Sequence, residues 1–231
     1  MKIKKQNIGM MSLVLITAIL ITVSAIVYKQ AFFKTLPLYI SLVVLFFKSD
    51  VRRIAPLIGS FNSILYAIVD FSYGLYGTAL SDILISFTLQ FITFILWTRR
   101  KDGKTTRLRK LRRGYLIGII AAMIAIYIPC LYQNMKLGAS VAPLDTYCFV
   151  DSLVTPFLTM FAFIEYTYFS VIGCALTIVM NTLMLKESPD RLSYVIYSVY
   201  STICCIVAVI NVHKIYKRQT LESTLEVKNE A

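Results

Sequence analysis

The chain has 231 residues, of which 58% are hydrophobic and only 16% carry a charge. Soluble globular domains usually carry about 25% charged residues, so this composition excludes an ordinary water-soluble protein. The net charge of +12 suits a nucleic-acid-binding protein or a membrane protein, and the distribution of the charge along the chain has to decide between them.

Eight apolar runs of 16 to 22 residues follow one another along the chain. A helix of about 20 residues crosses a hydrocarbon core of about 30 Å, and about 17 residues suffice where the helix or bilayer adapts. The bilayer offers no partner to backbone polar groups, and the runs lack the alternation of a membrane barrel, so all eight are predicted to be transmembrane helices. They cover residues 9–27, 31–47, 54–69, 76–97, 115–131, 148–163, 168–185 and 192–212.

The first two runs each carry a feature that needs explanation. Lys2, Lys4 and Lys5 precede the first run, as in a secretory signal peptide, but the run is long for a signal and lacks an obvious cleavage site. We therefore expect it to be retained. The second run contains Lys34 and Pro37 near its beginning, where a snorkelling lysine and a first-turn proline cost little.

Lysine and arginine are distributed unevenly between the predicted spans. Nineteen of the 24 lie at the two termini and in alternate loops, and five lie in the other loops. Positive-inside insertion produces this asymmetry, so both termini and the basic loop from Arg99 to Arg113 are predicted to be cytoplasmic. Topology and attraction to anionic lipids explain that loop, and no nucleic-acid partner is expected.

Neither a metal site nor a cofactor site is expected. The five cysteines show no metal-ligand spacing, and the single histidine, His213, lies at the end of the last span. Gly103-Lys104-Thr105 resembles the end of a phosphate-binding loop. However, Thr98 stands where its first glycine should be, and no strand is predicted before it. ATP-driven pumping is therefore not expected.

The order of the spans suggests an internal duplication. After the first span come three spans, one linking span behind the basic loop, and three more, which would place two three-helix units in parallel orientation. Weak similarities between residues 67–69 and 177–179, and between 80–82 and 192–194, support an offset of about 110 residues. The predicted segments are an N-terminus with an extra span (1–30), a first repeat (31–97), a basic loop with a linking helix (98–134), a second repeat (135–218) and a frayed cytoplasmic tail (219–231).

Polar side chains form stripes on four of the predicted spans. At 100° per residue, the stripe on each helix falls on one face. The stripes contain Thr78, Asp82, Ser86, Gln90 and Trp97; Asn62, Tyr66 and Asp70; Asp151, Thr155 and Thr159; and Ser170, Cys174, Thr177 and Asn181. Four converging stripes indicate a polar interior.

Close helix packing is the alternative explanation for small polar residues in a membrane. Amides and carboxylates are harder to explain in that way, because each costs a few kcal/mol at depth unless it is satisfied. Tyr197 and Tyr200 lie deep in the last span, where they either pack or contact a ring-bearing solute. The predicted solute-binding residues are Asn62, Tyr66, Gln90, Trp97, Ser170, Cys174, Asn181, Tyr197 and Tyr200, and the predicted polar pathway comprises Asp82, Ser86, Asp151 and Thr155.

Several of these residues occur in a pattern that resembles the PnuC family of vitamin and nucleoside transporters. The resemblance covers about residues 37–218. It rests on an apolar run ending in Lys48, then Gly59, Leu65-Tyr66, Gly74-Leu75-Tyr76-Gly77, Gln90 and Trp97 followed by basic residues, with Asp151 and Glu165 as the family's acidic positions in the second half.

The resemblance implies an all-α, polytopic fold with a seven-helix 3+1+3 core of SWEET-like parallel repeats, to which this chain adds one N-terminal span. It also implies a homotrimer in the bacterial inner membrane, and facilitated diffusion of nicotinamide riboside or a related nucleoside or vitamin, trapped by a cytoplasmic kinase. The family signature of two tryptophans and an asparagine is replaced here by Thr167, Ser170 and Cys174, so the aromatic pair expected to clamp a nicotinamide ring is missing from these positions.

The alternative function is an intramembrane enzyme that uses Asp82 and Asp151 as an acid pair. The residues around them lack the glycine and tyrosine motifs of an aspartyl protease. A transporter without catalytic residues is therefore preferred, with a small solute and the lipid bilayer as its partners.

Overall fold

The computed structural model describes residues 2–72, 82–102, 105–136, 141–186 and 189–230, and the side chains at 2–8, 70–72, 82, 101–102, 145, 190 and 225–230 lie outside the description. Within these residues the chain forms eight α-helices. They are α1 (Lys2–Val27), α2 (Phe32–Ser49), α3 (Ile54–Ser72), α4 (Thr88–Arg99), α5 (Arg113–Lys136), α6 (Ala142–Met160), α7 (Tyr166–Met184) and α8 (Leu192–Glu230).

Shorter elements connect these helices. A π-helical turn, Asp82–Phe87, leads into α4, and a 3-10 turn, Pro189–Arg191, leads into α8. Two strands, β1 (Lys101–Asp102) and β2 (Thr105–Thr106), form an antiparallel hairpin in the basic loop. The residues that precede Thr98 are helical, so no strand leads into this segment, as expected, and the two residues of β1 come after the position of the missing first glycine.

Five helical segments are long and apolar enough to cross a membrane. They are Gly9–Val27, Phe32–Ser49, Arg113–Lys136, Tyr166–Met184 and Leu192–Thr224, with two shorter apolar helical segments, Ile54–Val69 and Ile83–Arg99. Large apolar side chains such as Ile117, Ile124 and Ile128 on α5 are more than half exposed, as expected for a surface that faces lipid. The chain is thus a multi-pass helical membrane protein.

Tight backbone turns end three of the helices in the same way. At the end of α2, the amide of Arg52 donates to the carbonyl of Phe47, and Val51 adopts a φ of 54°. At the end of α6, the amide of Phe163 donates to Leu158, and Ala162 has a φ of 58°. This six-to-one bond with a left-handed residue is a Schellman motif, and Lys29 occupies the same position after α1. Val51 and Ala162 are both fully buried, so packing holds them in a conformation that non-glycine residues rarely adopt.

The basic loop is fastened to the second half of the chain. Arg109 exchanges backbone hydrogen bonds with Ala162 and Ile164, both at 2.9 Å, and the Glu165 carboxylate accepts the amide of Leu111. The Arg100 guanidinium donates to the carbonyl of Phe161 at 3.2 Å, and burial together with the nearby Arg109 lowers the pKa of Arg100. These bonds hold the end of α4 against the end of α6.

The C-terminal helix is longer than predicted. Residues 219–231 were expected to form a frayed tail, but α8 continues to Glu230. Gln219 explains part of the extension, because its side chain accepts the amide of Leu108 and donates to the carbonyl of Thr106. Arg218 and Glu222 add an i,i+4 ion pair at 3.6 Å, an arrangement that supports exposed helix by a few tenths of a kcal/mol.

Candidate solute-binding cavity

A cavity of about 330 Å³ lies among α2, α3 and α4, with contributions from α6 and α8. Its lining residues are Ser41, Val44, Leu45, Lys48, Ala55, Pro56, Gly59, Asn62, Ser63, Tyr66, Ser86, Gln90, Thr93, Trp97, Pro156, Thr159 and Tyr197. Ligand pockets typically measure about 300–1,000 Å³ and combine an apolar wall with a few polar groups, and this cavity has both properties.

Asn62 is the polar centre of the wall formed by α2 and α3. Its Nδ2 donates to the carbonyl of Pro37 at 3.0 Å and to the Ser41 hydroxyl at 2.8 Å, and the Tyr66 hydroxyl lies 3.2 Å from Ser41 Oγ. Asn62 Oδ1 is buried without a hydrogen-bond partner. An unsatisfied buried acceptor costs about 1–3 kcal/mol, so Asn62 keeps an unused hydrogen-bonding group in this wall.

Gln90 on α4 contacts α3, the helix that carries Asn62. Its Nε2 donates to the Ser63 hydroxyl at 2.9 Å, and its amide oxygen lies directly against the backbone of Gly59. Even one added carbon at Gly59 would overlap this amide. The glycine therefore gives Gln90 the space to lie across the gap between the two helices.

Trp97 lines the cavity from α4. Its side chain is fully buried, and Nε1 donates to the carbonyl of Thr159 on α6 at 2.8 Å. This bond fixes the indole ring against the second half of the chain. Tyr197 on α8 lines the cavity beside Ser41 and Tyr66, so aromatic rings and hydroxyl groups line the same cavity.

Lys48 is the charged side chain among the lining residues that the structure describes. Its ammonium lies 5.7 Å from the centre of the Tyr166 ring, a favourable cation–π distance. Lys48 also borders a much smaller void of about 10 Å³ near Thr167 and Ser170. The described residues contain no cluster of three or more histidine, cysteine or acidic side chains that could hold a metal ion.

Six of the predicted site residues meet at this cavity. They are Asn62, Tyr66, Ser86, Gln90, Trp97 and Tyr197. The sequence analysis did not select Ser41, Ser63 or Gly59 as site residues. Ser63 lies one residue beyond Asn62, about 100° from the stripe, and only its contact with a different helix brings it to the cavity.

The other predicted residues have partners elsewhere. Cys174 lies 3.1 Å from the Ser201 hydroxyl and 3.5 Å from Cys205 Sγ, between α7 and α8. Asn181 donates to the Ser198 hydroxyl at 3.0 Å, between the same helices.

The predicted residues Ser170, Tyr200, Asp151 and Thr155 are also absent from the described cavity lining. Ser170 borders the small void, and the Tyr200 hydroxyl donates to the carbonyl of Leu42 at 2.7 Å. Asp151 accepts the Thr155 hydroxyl at 2.7 Å and lies against Gly173 of α7. The side chain of Asp82 lies outside the description, so Asp151 is the one residue of the predicted acid pair whose side chain is described.

Comparisons with known proteins identify the family. Residues 31–214 match the family described as nicotinamide mononucleotide transporter. A solved structure described as the crystal structure of the vitamin B3 transporter PnuC is 18% identical, covers 92% of each chain and superposes with a TM-score of 0.75. No curated protein matches the chain significantly. At 18% identity the structural likeness shows the fold alone. The family assignment rests on the family match, which extends over most of the sequence. The resemblance found in the sequence is thereby confirmed: the chain belongs to the nicotinamide mononucleotide transporter, or PnuC, family and is a membrane transporter, not an enzyme.

Proposed function

We propose that this transporter mediates facilitated diffusion of a small ring-plus-sugar or vitamin-like solute, nicotinamide riboside or a related nucleoside or vitamin, and that the solute binds in the 330 Å³ cavity. The family description names nicotinamide mononucleotide, and the similar crystal structure is described as that of a vitamin B3 transporter. The observation that carries the proposal is the buried Asn62 Oδ1 without a partner, in a cavity that the Gln90 side chain also lines. In a bilayer such groups are costly unless they serve a polar solute.

The cavity chemistry suits a solute with hydroxyl groups and a ring. Asn62 Oδ1 would accept a hydrogen bond from a hydroxyl or amide group, and the Gln90 amide offers both a donor and an acceptor. Tyr66, Trp97 and Tyr197 supply aromatic surface around them. Ring contact in this chain would therefore come from these side chains, because Thr167 and Ser170 stand at the signature positions.

The remaining predicted residues belong to the proposal in a different state of the transport cycle. Solute contact with Cys174 or Asn181 requires α7 and α8 to separate, because both side chains are bonded across that interface. Contact with Tyr200 would require its bond to Leu42 of α2 to break, and contact with Ser170 would require the small void beside it to open. Asp82, Asp151 and Thr155 would line a polar pathway next to the cavity.

We also propose the finer architecture of eight spans with a 3+1+3 repeat. Spacing between corresponding helices supports it, since α6 and α7 begin 110 and 112 residues after α2 and α3. The left-handed residues Val51 and Ala162, at equivalent turns, are 111 residues apart. Two units of similar fold, related in parallel, would rock against each other to expose the site alternately.

The cellular setting follows from the same proposal. Cytoplasmic termini and a bacterial inner membrane agree with the lysine and arginine asymmetry. A carrier that only equilibrates its solute needs a trapping step, which a cytoplasmic kinase would provide by adding a phosphate group. A homotrimer is proposed from the family resemblance.

Uptake into proteoliposomes tests the transport proposal. The full chain is reconstituted, and labelled nicotinamide riboside, thiamine, riboflavin and a deoxynucleoside are offered without an ion gradient or ATP. We expect one of them to equilibrate, with uptake reduced in Asn62→Ala and Gln90→Ala. Ser152→Ala on α6 and Thr182→Ala on α7, both exposed, serve as controls. If both cavity variants equilibrate the solute with wild-type kinetics, the proposed site is refuted.

A further inference from the structure

We infer that the groove between α5 and α6 binds one anionic phospholipid, with an acyl chain in the groove and the headgroup at the basic residues around the start of α5. The groove has a volume of about 550 Å³ and an apolar lining. The lining includes Gly114, Gly118 and Ala122 of α5, Phe157 of α6, and Phe161, the residue that follows α6. This site is separate from the solute cavity, and the inference does not depend on the transported compound.

Small residues at every fourth position of α5, Gly114, Gly118 and Ala122, leave space in the groove. A carbon added at Gly114 or at Gly118 would meet no other atom within 4 Å. Facing it, Phe157 is about half exposed, so the protein leaves this apolar surface uncovered. An extended hydrocarbon chain fills such a channel without any polar group having to be satisfied.

The chemistry at the end of the groove selects the headgroup. Leu111 and Gly114 line the groove, and the residues around them, Lys110, Arg112 and Arg113, are exposed. None of these three forms an ion pair with another described residue. Arginine binds phosphate oxygens through two parallel hydrogen bonds, and basic pockets between membrane helices are the usual sites for anionic headgroups.

The backbone adds to this preference. Helix α5 begins at Arg113, so its first amide groups point towards the same end of the groove, and a helix N-terminus favours a negative charge. Glu165, an acidic side chain that contacts this segment, is buried and accepts the amide of Leu111 with both carboxylate oxygens. Its charge is therefore engaged by the backbone, and the basic side chains remain available.

Competition between lipids tests this inference. The purified full chain is titrated in detergent with phosphatidylglycerol and with phosphatidylcholine of the same acyl chains, and bound lipid is counted by native mass spectrometry. We expect one phosphatidylglycerol to be retained in preference to phosphatidylcholine. Arg112→Gln with Arg113→Gln should weaken phosphatidylglycerol binding about 30-fold, because each basic residue near a membrane surface contributes about a factor of five.

Matched variants separate a groove site from diffuse surface charge. Gly118→Leu should abolish the retained phosphatidylglycerol by filling the groove, whereas Gly9→Leu, at another open glycine on α1, should not. Lys214→Gln with Lys217→Gln removes the same charge from α8 and should leave binding unchanged. Equal losses in the two charge-pair variants, or full retention in Gly118→Leu, would overturn the inference. So would a change of oligomeric state in Gly118→Leu without loss of lipid, because a second copy of the chain would then occupy the groove.

Discussion

Replacing Gly59 by alanine would test the cavity without deleting any polar group. Gly59 lies on α3, and its backbone is in contact with the amide of Gln90. An added methyl group overlaps the amide oxygen and lies 3.1 Å from the side-chain carbon that bears it. The end of a glutamine side chain can move, so we expect Gln90 to leave Ser63 and turn into the cavity while the helices stay in place.

The magnitudes separate the effect on folding from the effect on transport. Alanine in place of glycine stabilises a helix interior by about 1 kcal/mol, and the lost bond from Gln90 to Ser63 costs about 0.5–1.5 kcal/mol. The net change in the free energy of unfolding should therefore be close to zero. If Gln90 holds the solute, losing one hydrogen bond of that strength should raise the half-saturating concentration by a factor of about 2 to 10.

Two measurements on the same preparation decide the outcome. Thermal unfolding of the purified protein gives its stability, and proteoliposome uptake gives the half-saturating concentration. Gly9→Ala on α1 is the control, because its added carbon meets nothing within 4 Å. The reasoning is refuted if Gly59→Ala transports with an unchanged half-saturating concentration, or if it unfolds far below the wild-type temperature.

Three further predictions concern individual side chains. Trp97 is the single tryptophan and lines the cavity, so a transported solute should change the intrinsic fluorescence of the protein, and an unchanged spectrum at saturating solute would contradict its position at the site. Asn181→Ala removes a buried bond to Ser198 and should destabilise the protein by about 0.6 kcal/mol. If α7 and α8 separate during transport, the half-saturating concentration should rise more in this variant than in Gly9→Ala, and equal values in the two variants would contradict that separation. Asp151→Asn keeps an oxygen that can accept the Thr155 hydroxyl and removes only the ionisable group, so uptake at saturation should persist; abolished uptake in a variant that unfolds normally would show that transport needs the carboxyl group and would contradict facilitated diffusion without a coupled ion.

Local patterns in the sequence predicted several of the cavity residues in the first half of the chain. Asn62 and Tyr66 lie four residues apart, as do Ser86 and Gln90, and the helical period places each pair on one face without further information. All four line the cavity. Their helices are adjacent along the chain, so the two stripes could face each other through short-range packing.

The polar stripe on α7 was predicted to contact the solute, but its residues do not line the cavity. Cys174 and Asn181 share a face of α7 as predicted, but that face is bonded to Ser201 and Ser198 of α8. A stripe shows that polar groups lie on the same side of a helix, and it fits an aqueous pathway and close helix packing equally well. Only the rotation of α7 against its neighbour decides between them.

The amino-acid sequence alone determined that the chain is helical and lives in a membrane, because runs of apolar residues cannot be solvated by water and backbone polar groups cannot be left bare in lipid. Tertiary structure decided which polar faces meet in a cavity, that Gly59 makes room for Gln90, and that Trp97 is tied to Thr159 on a distant helix. Those contacts join residues far apart in the chain, and their geometry depends on how whole helices pack against one another, which no local period records.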